Sequence, residues 1–166
     1  MDRVKAAIFS SLGEAILHAR VLDLFSGTGA LGIEALSRGA AMVLFVEENS
    51  AATAAIEKNL ARTNLKADIR QQDVFAFLQS GMARERFDII FADPPYEQSK
   101  SGGAFTQLLL GNARIIELLE EGGTFVLEKR PGEQIPASAL WKTVRAKRYG
   151  ATEVLFLQSA AVPGAH

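Results

Sequence analysis

The sequence predicts an α/β domain built on a mostly parallel sheet, with helices on both faces and an antiparallel hairpin at one edge. Three observations predict it. Short, nearly continuous apolar runs alternate with segments of helical periodicity between residues 21 and 128, the pattern of a sheet covered on both sides. A glycine-rich turn, Gly27-Thr28-Gly29-Ala30-Leu31-Gly32, joins the first such run to the helix after it. Beyond Pro131 two further runs follow each other, separated by Tyr149-Gly150-Ala151, with little helix between them.

Each element has its own justification. Val4, Ile8, Leu12 and Ile16, with Ala7 and Ala15 beside them, form one stripe down an opening helix over residues 2–17 that Asp2 can cap. Val21 to Phe25 is the first strand, and the helix through Leu31, Ile33, Ala35 and Leu36 ends at Gly39. Met42 to Glu47 is the second strand; Asn49-Ser50 opens a helix carrying Ile56 and Leu60. A short strand over 67–71, a short helix over 74–78 and a strand over 87–92 come next. A loop around Ser101-Gly102-Gly103 precedes a helix expected from Phe105 to Leu119 and a strand from Thr124 to Glu128. The hairpin pairs Trp141 to Arg148 with Thr152 to Gln158.

Composition narrows the function. With 166 residues the chain reads as one domain over 1–159 and a short tail over 160–166, large enough to bury a core unaided. Without Cys and with two His, His18 and His166, it offers no disulfide framework, no Cys-ligated zinc and no His-based metal site. No apolar run approaches the ~20 residues of a membrane span and no signal peptide opens the chain, so the expected setting is the cytoplasm and the expected state a monomer. A net charge of −1 leaves any nucleic-acid contact to local basic clusters. These are Arg3 and Lys5 near the start, and Lys129-Arg130 with Lys142, Arg145, Lys147 and Arg148, which also suit a solvated face.

Four features fall at the ends of successive strands. Asp23 interrupts the first strand just before the glycine turn, and a carboxylate there is costly unless a ligand or backbone donors satisfy it. Glu47, twenty residues after Gly27, suits a carboxylate that accepts from both hydroxyls of a ribose. Asp73 can accept from an adenine amino group, with Val74 against the ring, and can equally cap the helix it opens. Asp93-Pro94-Pro95-Tyr96 closes the fourth strand. Its prolines stiffen the loop and present carbonyls without competing N–H groups. An exocyclic NH2 can donate to the Asp93 side chain and the Pro94 carbonyl while its ring stacks on Tyr96. The same tetrapeptide also suits an ordinary turn.

Asp2-Arg3-Val4-Lys5-Ala6-Ala7-Ile8-Phe9, the stretch Leu22 to Ala40, Val46-Glu47, Asn59-Leu60, Asp93-Pro94-Pro95-Tyr96 and Tyr149-Gly150 together resemble the bacterial 16S ribosomal RNA guanine-N2 methyltransferase family, within the class I S-adenosylmethionine-dependent methyltransferases. The likeness covers nearly the whole chain; the glycine-turn stretch and the D-P-P-Y are its specific parts. It implies a Rossmann-like, seven-stranded sheet with the reversed hairpin at its edge, and S-adenosylmethionine as methyl donor. As acceptor it implies a guanine in ribosomal RNA or in a small-subunit assembly intermediate. It implies cofactor contacts from Asp23, Phe25, Ser26, Gly27, Gly29, Glu47, Asp73 and Val74, catalysis at Asp93, Pro94, Pro95 and Tyr96, and RNA contacts from Arg3, Lys5, Lys129 and Arg130. Family members usually carry a longer basic segment, with an Arg-Pro-Thr run, ahead of the Asp-Arg that here is Asp2-Arg3.

Rival readings remain open at the level of sequence. G-x-G-x-x-G with Glu47 fits a nicotinamide-dependent oxidoreductase, although Asp23 would repel a pyrophosphate and no His stands ready as a proton donor. Within the methyltransferases, adenine N6, a glutamine amide or a small metabolite are alternative acceptors. A non-catalytic RNA-binding module on the same fold is the third reading.

Overall fold

The computed structural model describes residues 2–80, 85–96, 104–135 and 138–160. The loop expected around 101–103 and most of the tail lie outside the described residues. The chain forms α1 (Asp2–Leu12), a 3-10 turn (Gly13–Ile16), β1 (Arg20–Leu24), α2 (Ala30–Ser37), β2 (Met42–Glu47), α3 (Ser50–Arg62) and β3 (Asp68–Gln71). These are followed by α4 (Val74–Gln79), β4 (Phe87–Ala92), α5 (Phe105–Leu110), α6 (Ala113–Leu118), β5 (Leu119–Lys129), β6 (Trp141–Tyr149) and β7 (Thr152–Ser159).

The strands make one seven-stranded sheet in the order β3-β2-β1-β4-β5-β7-β6. Pairings among β1 to β5 are parallel, while β7 runs antiparallel to both β5 and β6. The expected α/β fold with a reversed edge hairpin is therefore what forms. Chain order reverses between β1 and β4, and a crevice for ligands opens outside the carboxyl ends of strands at such a point.

Alternation along the strands divides the core into two layers. Leu22, Leu24, Ile90, Ala92, Phe125 and Leu127 face α4, α5 and α6 through Phe77, Leu78, Leu109, Leu110, Ile115 and Leu118. Val21, Phe45, Ile89, Phe91 and Val126 face α1, α2 and α3 through Val4, Ile8, Ala35, Ile56 and Leu60. Phe45, Phe87, Phe91 and Phe125 are fully buried, each contributing about 1.5–3 kcal/mol. Gly32 lets α2 lie directly on Phe45, because a β-carbon there would come within 2.3 Å of the ring.

Three elements differ from expectation. The opening helix expected over 2–17 ends at Leu12, where Gly13, in the left-handed region (φ 54°), starts the 3-10 turn. The helix expected over 105–119 is broken into α5 and α6 at Gly111-Asn112, where Gly111 ends one helix and the Asn112 side chain accepts from Arg114 N–H to start the next. Strand β5 starts at Leu119 rather than Thr124, with Gly122 in the left-handed region (φ 78°) inside the extension. In β6 a register shift between Thr143 and Arg145 marks a bulge. Trp141 ties this edge to the body of the domain by donating its indole N–H to the Leu110 carbonyl at 3.0 Å.

Candidate active site

Parallel register brings the carboxyl ends of β1, β4 and β5 side by side. Leu24 pairs with Ala92 and Ala92 with Leu127, so the next residues, Phe25, Asp93 and Glu128, are neighbours at that end of the sheet. They open into a cleft of about 1380 Å³. It is lined on one side by Asp23, Gly27, Glu47, Asp93 and Glu128, and on the other by Phe25, Asp73, Val74, Phe75 and Phe105.

The acidic side is held from the backbone. Asp23 is buried at 2% exposure and its Oδ2 accepts from Gly32 N–H at 3.1 Å. Burial pushes its pKa well above the usual carboxylate range; the Gly32 N–H opposes this, and the Asp93 and Glu47 charges add to it. Glu47 accepts from Gly27 N–H at 2.8 Å through Oε1 and from Asn49 N–H at 3.0 Å through Oε2. Ser26 Oγ donates to the Asp23 carbonyl at 2.5 Å, and Asn59 donates from α3 to the Thr28 carbonyl at 3.1 Å. The turn is thus fixed on three sides before any ligand arrives. Phe25 and Gly27 both take positive φ there, at 54° and 57°; for a phenylalanine this costs roughly 1–3 kcal/mol, a strain that clusters at ligand sites.

The opposite side is aromatic. Phe75 and Phe105 lie nearly parallel with centroids 6.0 Å apart, and Phe25 meets both edge-on at 6.3 and 5.7 Å. Asp73 caps α4, its Oδ2 accepting from Ala76 N–H at 2.9 Å, so the cap expected from sequence forms at the rim of the cleft.

The D-P-P-Y segment reaches the cleft through two of its residues. Asp93 and Pro95 line the cleft and Pro94 is buried. Tyr96 is 46% exposed, and the Arg130 guanidinium lies 4.5 Å from its ring centroid, an attractive cation–π arrangement that leaves the other ring face for a partner.

The basic residues separate into different roles. Arg3 is exposed at the start of α1, while Lys5 lines the cleft and pairs with Glu34 at 3.4 Å. The expectation that Lys129 reaches RNA is corrected. Lys129 is buried at 3% exposure, pairs with Glu153 at 2.6 Å and donates to the carbonyls of Arg130 and Glu133 at 3.0 Å each. It clamps the loop that carries Arg130. Thr106 fixes the same loop from α5 by donating to Glu133. Lys142, Arg145, Lys147 and Arg148 are exposed along edge strand β6. Gly29 is not among the residues lining the cleft, and a β-carbon there would meet Ile56, Ile33 and Phe45 at 3.2–3.3 Å.

Sequence reasoning gave no site role to Glu128, Phe75, Phe105 or Asn59. Glu128 carried a readable signal, an acid closing an apolar strand at the same edge as Asp23 and Asp93. Phe75 and Phe105 did not, because an apolar residue starting a helix looks like core. Among the described residues there is no cluster of side chains suited to a metal ion, and no helix long and apolar enough to cross a membrane.

A sheet of this order, with an acid and glycine turn after β1, an acid ending β2 and a cleft at the β1/β4 reversal, defines the class I S-adenosylmethionine-dependent methyltransferase fold. The chain is 36% identical over 158 residues to YlbH of Bacillus subtilis, whose name proposes an rRNA methyltransferase, across 92% of this chain and 83% of that protein. It is 34% identical over 114 residues to ribosomal RNA small subunit methyltransferase D of Haemophilus influenzae, across 67% of this chain and 59% of the relative. Among solved structures, Escherichia coli yhhF, named for an inferred methyltransferase activity, matches with a TM-score of 0.83 at 28% identity, over 98% of this chain and 87% of that one. The Thermus thermophilus 16S rRNA N2 G1207 methyltransferase RsmC, solved with AdoMet and guanosine, matches with a TM-score of 0.68 at 25% identity, over 93% of this chain and 41% of that one. The family model described as Conserved hypothetical protein 95 covers residues 1–158, and the chain belongs to that family.

Proposed function

We propose that this protein transfers a methyl group from S-adenosylmethionine to the exocyclic N2 amine of a guanine in 16S ribosomal RNA. The observation that carries the proposal is the register that sets Asp93 of the D-P-P-Y beside the Asp23 glycine turn across one cleft. The chemistry of the two sides fits the donor. Its ammonium and sulfonium suit the acids on one wall, and its adenine suits the aromatic wall with the Asp73 carboxylate at the rim. A dinucleotide pyrophosphate would meet Asp23, Glu47 and Asp93 instead, which disfavours the nicotinamide reading.

Bound there, S-adenosylmethionine supplies an electrophilic methyl group. Asp93 accepts one hydrogen of the acceptor amine and the Pro94 carbonyl the other, which turns the nitrogen lone pair out of conjugation with the base. Tyr96 stacks on the base with its face away from Arg130. Fixed placement removes an entropic barrier that can reach ~7 kcal/mol or more. As the nitrogen–carbon bond forms, the bond from that methyl to sulfur would break with its electron pair left on sulfur, giving S-adenosylhomocysteine, and the amine releases one proton to Asp93 or to water. Glu47 holds the ribose hydroxyls, and Phe25, Ser26, Gly27 and Val74 shape the rest of the donor site. Arg3, Arg130 and the exposed cations of β6 engage RNA phosphates. The unit that acts is the single domain 1–159, as a monomer in the cytoplasm, on ribosomal RNA or an assembling small subunit. The names of YlbH and of the Haemophilus relative, and the guanosine-bound RsmC, support an rRNA guanine as acceptor.

Thermal unfolding with S-adenosylmethionine, S-adenosylhomocysteine or NAD tests the donor site. A ligand at ~100 times its dissociation constant stabilises by about 2.7 kcal/mol, roughly 5–10 °C for a domain of this size. A shift with the two methionine-derived ligands alone is expected; a shift with NAD alone overturns the proposal.

A further inference from the structure

Glu128 lies near the carboxyl end of β5, still paired with Val154 of β7, and is 8% exposed. Ala92 and Leu127 pair across β4 and β5, so the next residues, Asp93 and Glu128, stand side by side, and both line the cleft. Two bare carboxylates so placed have no hydrogen to share and repel each other, which a single proton held between them relieves. We propose that Glu128 is a positioning residue for methyl transfer: it keeps the proton, donates it to the Asp93 carboxylate, and so fixes Asp93 with its second oxygen toward the acceptor amine. The inference rests on the function proposed above and adds a residue to its site.

The surroundings favour this arrangement. Asp23 faces the pair from β1, and Lys5, itself paired with Glu34, lines the same cleft from α1. From β7 the residue in register with Glu128 is apolar Val154. On its own strand the neighbouring Lys129 is committed to Glu153 and two carbonyls, so Lys129 does not neutralise Glu128; the N-terminal ammonium attracts Glu128 and opposes the rise of its pKa. Burial first, and then the Asp93 charge, raise the Glu128 pKa to about 9, which keeps the acid protonated through the neutral range. A neutral Glu128 also adds no charge of its own to a cleft already lined by Asp23, Glu47 and Asp93. The Asp93 carboxylate, rather than Glu128, then touches the amine, and Glu128 acts only through it.

The test compares Glu128→Leu, which removes the donor but keeps the volume, with Glu128→Gln, whose amide N–H still donates to Asp93. Initial rates of methyl transfer from S-adenosylmethionine to 16S ribosomal RNA are measured across pH 6 to about 10, a window bracketing the raised pKa, with cofactor affinity measured in parallel. Wild type must methylate the RNA first; if it does not, the proposed function fails and this inference with it. Given an active wild type, Leu should lower kcat roughly 100-fold, the scale of a small misplacement of a reacting group, with cofactor affinity kept, and Gln should recover most of that rate. Wild type should also lose rate as pH rises through about 9, where Glu128 ionises and repels Asp93, while Gln should lack that alkaline limb. Equal rates for wild type and Leu would overturn the inference, as would Gln as slow as Leu. Should Leu fail to fold, the alkaline limb decides: its persistence in Gln refutes the role.

Discussion

Replacing Gly32 by Ala tests how closely α2 must sit on the sheet for the cleft to exist. A β-carbon at Gly32 would lie 2.3 and 2.7 Å from Cε1 and Cζ of Phe45 and 2.9 Å from Cγ1 of Val43. Unbonded carbons settle at about 3.5–4.0 Å, so the ring or the helix must retreat by roughly an ångström. Phe45 has no exposed surface and Val43 is 1% exposed, which leaves the helix to lift. Two effects compete: Ala gains up to ~1 kcal/mol of helix propensity over Gly, whereas overpacking costs about 1–3 kcal/mol. Since the obstructing ring is boxed in, overpacking wins by an expected ~1–2 kcal/mol, lowering the melting temperature by roughly 2–8 °C. Lifting α2 also draws the Gly32 N–H from the Asp23 oxygen it reaches at 3.1 Å, so affinity for S-adenosylmethionine should fall together with stability. Thermal unfolding and calorimetric titration measure the two effects. Phe45→Leu removes the obstructing ring carbons, so it should cost less in the Gly32→Ala background than in wild type. A Gly32→Ala protein as stable as wild type, with unchanged affinity, would refute this reasoning.

Asp93→Ala should abolish methyl transfer and leave cofactor binding nearly intact, which titration alongside a transfer assay will show; equal loss of both would move Asp93 into the donor site. Tyr96→Ala should weaken RNA engagement by ~1–3 kcal/mol, the range for base–aromatic stacking, read as a rise in KM for RNA. Lys129→Met should cost about 3 kcal/mol in unfolding free energy, because it strands Glu153 and two loop carbonyls; a loss of RNA affinity at full stability would instead make Lys129 an RNA contact. Glu128 has a folded pKa raised to about 9 from the ordinary 4.5, so the native state pays to keep its proton as pH rises between those values. Stability is therefore lost across that window, and the melting-temperature advantage of Glu128→Gln over wild type should be larger at pH 8 than at pH 5.

The sequence showed its structure where structure is local. Strands β2 and β4 form over the residues expected, since Met42 to Glu47 and Phe87 to Ala92 are apolar runs with clear punctuation. The caps at Asn49 and Asp73 form because each needs only a backbone N–H three residues ahead. The cleft acids were legible for a related reason: Asp23 conflicts with the strand that contains it, and such local conflicts gather at functional sites. Features set by distant partners were not legible. The break at Gly111-Asn112 lies inside an apolar pattern that reads as one helix. Lys129 looks like a surface cation until β7 brings Glu153 beside it, 24 residues later in the chain. The Arg130 contact with Tyr96 and the placement of Glu128 beside Asp93 each join the ends of β5 and β4, a neighbourhood that parallel pairing creates and periodicity does not encode.

The most direct test of the central claim is nucleoside analysis of unmethylated 16S ribosomal RNA or small subunits after incubation with the protein and isotopically labelled S-adenosylmethionine. The account predicts label in N2-methylguanosine at a single nucleotide, and none with Asp93→Ala. Label in N6-methyladenosine, or none in RNA despite tight cofactor binding, would contradict it.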